Sequence, residues 1–85
     1  MTPAPPVYVG TDVGASRTKV AVLDASKQLT GWAVRPSGTD FAVTARECLT
    51  LALAMAGVSE ERIANAVSTG YGRKNVDYAR DTRTE

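Results

Sequence analysis

The period of apolar and polar positions changes several times along the 85 residues. Val7 to Asp12 is short and mostly apolar with imperfect alternation, which predicts a central strand covered on both faces. Lys19 to Asp24 is a valine-rich run and predicts a second strand. Ala25-Ser26-Lys27 is a small polar turn, short enough to force an antiparallel return. Gln28 to Arg35 predicts a third strand, with Trp32 and Val34 on one face and Ala33 and Arg35 on the other. Pro36-Ser37-Gly38 ends it, because proline cannot donate to a ladder and glycine breaks the run.

The period then becomes helical. Thr39 and Asp40 are both suitable N-caps for a helix that runs to Ala56. Phe41, Ala45, Cys48, Leu49, Ala52, Met55 and Ala56 recur at helical spacing and form its expected buried stripe, and Gly57 stands where a C′ glycine belongs. Ser59-Glu60-Glu61-Arg62 reads as a capped single turn, and Ile63 to Thr69 as a fourth strand. Lys74 to Arg83 has a thin apolar stripe, Val76, Tyr78 and Ala79, and is expected to start a second helix. The fold class that follows is α/β, with a mixed sheet of β-β-β-α-β order and helical cover. Its first three strands meander, and the helix crossover makes the fourth parallel to its neighbour.

Composition narrows the function classes. Eighty-five residues make one small domain, with 44% hydrophobic content in the ordinary globular range. A net charge of +1 gives no electrostatic case for nucleic acid or an anionic membrane. The late basic residues Arg73, Lys74, Arg80 and Arg83 interleave with Asp77, Asp81 and Glu85, as on a solvated face. One cysteine and no histidine exclude an internal disulfide framework and the usual zinc sites, and the expected location is cytoplasmic. Cys48 sits mid-stripe with no histidine or second cysteine to activate it, so it reads as a small core residue. No apolar run reaches the ~18–20 residues of a membrane span. Residues 1–6 are Pro-rich and read as a disordered leader, leaving 7–85 as the domain.

Candidate chemistry lies in the turn between the first two strands, Thr11-Asp12-Val13-Gly14-Ala15-Ser16-Arg17-Thr18-Lys19. A turn of this kind leaves backbone N–H groups converging, and such groups bind anions. Gly14 lets the backbone bend and a ligand approach. Ser16 and Thr18 supply hydroxyls, and Lys19 a point charge suited to phosphate. Asp12 would repel phosphate but could hold Mg²⁺ through water. The plain alternative is an ordinary hairpin with a polar turn. Thr69-Gly70-Tyr71-Gly72-Arg73, at the carboxyl end of a strand, marks a loop whose backbone comes close to something, the position where ligands bind in open α/β sheets. Its plain alternative is a turn needing positive φ twice.

Asp12 to Lys19 resembles the first phosphate loop of the actin, sugar-kinase and heat-shock-chaperone ATPase superfamily, and the β-β-β-α-β order is similar to the start of its actin-like (ribonuclease H-like) domain. Thr69 to Arg73 resembles one branch: the ATPase components of benzoyl-CoA reductase and the activators of 2-hydroxyacyl-CoA dehydratases. The resemblance implies an ATP-driven electron injector, dimeric, with an iron–sulfur cluster between subunits, serving a partner reductase or dehydratase. By position, Asp12 would organise Mg²⁺. Gly14, Ala15 and Ser16 would offer backbone donors to the ATP phosphates, and Thr18 and Lys19 would close the loop. Thr69, Gly70, Tyr71 and Gly72 would line the nucleotide cleft and sense the γ-phosphate.

The chain departs from that pattern in lacking a second acidic phosphate loop, an adenosine segment and two cluster cysteines. It therefore reads as the amino-terminal part of an incomplete ATPase domain, with no cluster ligands of its own. One loop cannot build a two-loop clamp, so hydrolysis by this piece alone is not expected. The competing readings are a fragment of a sugar or acyl kinase of the same superfamily and a non-catalytic interaction remnant. One sheet face should also be poorly covered, favouring low stability or self-association through an open edge.

Overall fold

The computed structural model describes residues 5–70, 72, 74, 76, 78, 81 and 82. Three strands open it: β1 (Val7–Val13), β2 (Arg17–Leu23) and β3 (Leu29–Pro36). Helix α1 (Phe41–Ala56) follows, then a 3-10 turn at Glu60–Arg62, β4 (Ile63–Thr69) and the two-residue β5 (Asp81–Thr82). The sheet order is β3-β2-β1-β4-β5. β1 runs antiparallel to β2 and parallel to β4, as a helix crossover requires, and β2 runs antiparallel to β3.

Local chemistry explains these boundaries. The β2–β3 turn is held by Asp24, whose Oδ1 accepts from the Ser26 and Gln28 amides at 2.8 and 3.0 Å, while Lys27 takes a positive φ of 66°. Of the two candidate caps, Asp40 is the one used: its Oδ1 accepts from the Val43 amide at 3.1 Å. Gly57 closes the helix in the left-handed region, its amide reaching back to Ala54 and Leu53. Pro36 falls inside β3 rather than beyond it. β3 is an edge strand, where a missing donor is tolerated.

The core lies between α1 and one face of the sheet. Val7, Val9, Val20, Val22 and Ala33 from the strands meet Cys48, Leu49, Ala52 and Leu53 from the helix. Burying a side chain such as Leu49 contributes about 1.5–3 kcal/mol. The helix comes so close to β3 that a Cβ on Gly31 would collide with the Ala52 carbonyl oxygen.

Three expectations are corrected. Met55 is 56% exposed, and Leu53 takes its place in the buried stripe, because the helix axis turns its 53 flank toward the sheet. β1 is central but not covered on both faces among the described residues: Tyr8 is 41% exposed while Val7 and Val9 are buried. Lys74 to Arg83 does not form one helix, since Asp81 and Thr82 pair with Val67 and Ser68 as a parallel strand. Val76 and Tyr78 instead pack on the α1 side: Val76 is buried with Val13 and Ala45, and Tyr78 packs against both core clusters. Of the expected leader, residues 1–4 lie outside the described residues, and the Pro5 carbonyl accepts from Arg62 at 3.0 and 3.1 Å. Among the described residues no helix is long and apolar enough to cross a membrane.

Candidate nucleotide-phosphate site

Strand alternation puts Asp12, Lys19 and Thr69 on the sheet face away from α1. The register then lines them up: Asp12 pairs with Lys19 across β1–β2 and with Thr69 across β1–β4. A carboxylate, an ammonium and a hydroxyl thus form one row over three adjacent strands, at the carboxyl ends of the parallel pair β1 and β4. Asp12 and Thr69 are half-buried and Lys19 is exposed. The row edges a concavity of about 450 Å³ whose apolar wall includes Trp32, Val34 and Val67.

The turn itself is closed by the Gly14 amide donating to the Arg17 carbonyl at 2.9 Å. A Cβ at Gly14 would lie 2.9 Å from that oxygen, so the turn needs glycine. This corrects one expectation, since the Gly14 N–H is spent inside the turn and is not a phosphate donor here. Ala15 and Ser16 stand exposed at the tip, outside the strand ladder. Thr18 is fully buried and its hydroxyl bonds Ser37 Oγ at 2.8 Å, so it braces the turn from behind.

The second motif reaches the same place. The Gly72 amide donates to the Val13 carbonyl at 2.9 Å. Gly70 has φ 93°, and a Cβ there would lie 2.6 Å from both Asp12 Oδ1 and the Val13 carbonyl oxygen. Gly72 has no positive φ; a Cβ on it would meet Val13 Cγ1 at 2.6 Å and the Phe41 ring at 3.0 Å. Only the first glycine is needed for φ. Both are needed for close approach, and what they approach is the end of β1. Tyr71 lies outside the described residues.

With this geometry in view, the solved structure of (R)-2-hydroxyglutaryl-CoA dehydratase component A from Acidaminococcus fermentans is similar at TM-score 0.81 and 26% identity, over 93% of this chain and 30% of that one. The chain has an actin-like fold, that of this dehydratase component. The activator of the 2-hydroxyisocaproyl-CoA dehydratase from Clostridium difficile, solved with bound ADPNP, shares the fold at TM-score 0.79 and 24% identity, over 92% of this chain and 29% of that one. A reductive activator for corrinoid, iron–sulfur protein shares it at 0.73 and 15%, over 86% and 16%. No family model and no curated protein sequence matches. The chain spans under a third of the length of these activators.

Two residues around the turn escaped the sequence reading. Ser37, taken as turn punctuation, is fully buried against the turn, and its Oγ donates to the Gly14 carbonyl at 2.7 Å. Thr11, 2% exposed, bonds the Tyr78 hydroxyl at 2.7 Å, and that hydroxyl also donates to the Ala45 carbonyl at 3.3 Å. Nothing in their local sequence marks either one, because the partners lie 23 and 67 residues away. Cys48 is a core residue as expected. Burial pushes its thiol up, the Arg35 charge opposes this in part, and its Sγ sits 3.7 Å from the Thr18 carbonyl.

Proposed function

We propose that this chain supplies the first phosphate-holding segment of an ATP site, in an ATPase subunit that couples ATP hydrolysis to low-potential electron transfer into benzoyl-CoA reductase or a 2-hydroxyacyl-CoA dehydratase. The observation that carries the reading is the row Asp12, Lys19 and Thr69, with the Gly14–Arg17 turn at one end and Gly70 pressed on Asp12 at the other. A relative solved with bound ADPNP supports ATP as the nucleotide. Lys19 faces the phosphates as a point charge, and the exposed tip at Ala15 and Ser16 presents backbone N–H to them. Thr69 and Gly70 form the side wall of the cleft and, with Gly72, read the γ-phosphate.

Asp12 is the carboxylate of that row. That suits Mg²⁺ held through water, and the ion would neutralise phosphate charge there. An iron–sulfur cluster does not fit this chain: its only cysteine is Cys48, which is buried in the core. Among the described residues no group of three or more His, Cys, Asp or Glu could hold a metal directly. The cluster, the partner reductase or dehydratase, and the dimer belong to the longer subunit, in a cytoplasmic setting.

Calorimetry of the chain with ADPNP, with and without Mg²⁺, tests the reading. Binding that strengthens with Mg²⁺ is expected, and no heat at millimolar nucleotide would sink it. A Gly72→Val chain that kept every nucleotide-linked change would remove the sensing role from the second loop.

A further inference from the structure

Behind the turn, one residue holds two of its peptide planes, through its side chain and its backbone. Ser37 is fully buried. Its Oγ donates to the Gly14 carbonyl at 2.7 Å and its amide donates to the Ser16 carbonyl at 2.8 Å. Because the single hydroxyl hydrogen goes to Gly14, the 2.8 Å bond with Thr18 has Thr18 as donor. The Ser37 carbonyl accepts from Thr44 Oγ1 at 2.8 Å, which anchors the junction to the first turn of α1.

We propose that Ser37 is the positioning residue of the phosphate turn, aiming the Ala15 and Arg17 amides at an anionic ligand of the nucleotide-phosphate class. A trans peptide is planar, with C=O of one residue opposed to N–H of the next. No cis bond is present among the described residues. Pinning the Gly14 and Ser16 carbonyls to Ser37 therefore turns the N–H groups of Ala15 and Arg17 away from Ser37. Ala15 and Arg17 join Ser16 as donors of this site in place of Gly14, whose N–H is spent on Arg17. Ser37 touches no ligand and acts only through the turn. Without its hydroxyl the Gly14 carbonyl and the Thr18 hydroxyl lose a buried partner, and the first plane is free to rotate. The proposal rests on the ATP reading given above.

The test is calorimetry and ¹⁵N–¹H spectroscopy of the chain with ADPNP and Mg²⁺, for wild type, Ser37→Ala and Leu53→Ala. Leu53→Ala weakens the core far from the turn and controls for stability alone. In wild type, saturating nucleotide is expected to move the Ala15 and Arg17 amide signals most. Ser37→Ala is expected to weaken binding about tenfold and to displace those two signals before nucleotide is added. Leu53→Ala should lower the melting temperature yet bind as wild type does. If Ser37→Ala binds within about twofold of wild type with the Ala15 and Arg17 signals unmoved, the positioning role is overturned while the ATP reading stands. If wild type itself binds no nucleotide, the ATP reading falls and the phosphate role of Ser37 falls with it.

Discussion

On the α1 side of the sheet, Val9, Val20, Val22 and Ala33 are at most 7% exposed, whereas on the opposite side their strand neighbours Tyr8, Val34 and Trp32 are 41–52% exposed. The same three strands therefore present two unlike surfaces. One is dry and valine-rich, and the helix seals it. The other stays wet and carries Asp12, Lys19 and Thr69 in a row. The difference teaches where stability and chemistry reside in a unit this small. Polar groups on the sealed face are tolerated because each finds a partner, and among the described residues no buried side-chain polar atom lacks one. The charged groups of the row stand on the face that water can reach.

The largest expected effect comes from breaking the sealed face. Leu49→Ala, at 1% exposure, should cost about 2–5 kcal/mol, a large share of the roughly 4–13 kcal/mol expected for a domain of this size. Urea melts would read this directly, and a loss below about 1 kcal/mol would show that the helix does not seal the sheet. Gly31→Ala should come next. Its new methyl collides with the Ala52 carbonyl and pushes α1 off β3, at about 1–3 kcal/mol or more.

The wet face should respond in ligand affinity rather than in folding. Asp12→Asn is expected to weaken the Mg²⁺-dependent part of ADPNP binding roughly 10–100-fold, with the unfolding transition still cooperative. Calorimetry at matched nucleotide with and without Mg²⁺ isolates that part. A mutant that retained the full Mg²⁺ effect would take Asp12 out of the site.

The smallest effect is a pH slope that belongs to the sealed face alone. Burial raises the Cys48 thiol above its unfolded value, so the folded chain holds this proton more tightly than the unfolded chain does. The stability it contributes is complete below the ordinary thiol range, ~8.5, and is lost as pH rises through the folded value. Urea midpoints from pH 7 to 10 should fall more steeply for wild type than for Cys48→Ala, and parallel slopes would contradict this.

Up to β4, the succession of strands, turns and helix was legible in the residues themselves, whereas β5 stands where a second helix was expected. Valine runs, the Asp40 cap and Gly57 each act within a few positions, so local sequence contains the whole interaction. The candidate turn and the Gly-Tyr-Gly motif were legible as motifs for the same reason. Less legible was which face each residue would serve. The helical spacing of Met55 suits a core position, yet the direction in which α1 crosses the sheet leaves it in water. Thr18 looks like a loop donor until the β2–β3 register brings Ser37 against it.

Backbone periodicity and turn chemistry depend on neighbours along the chain, and from these the sequence alone determined the β-β-β-α-β order, the helix ends and the place of the candidate turn. Tertiary structure decided the rest. Strand register set Asp12 beside both Lys19 and Thr69, and chain closure pressed Gly70 onto Asp12. The β3–α1 junction delivered a buried serine to two carbonyls of the turn. Each of those contacts joins segments that are remote in the chain, and its geometry exists only once the sheet has formed.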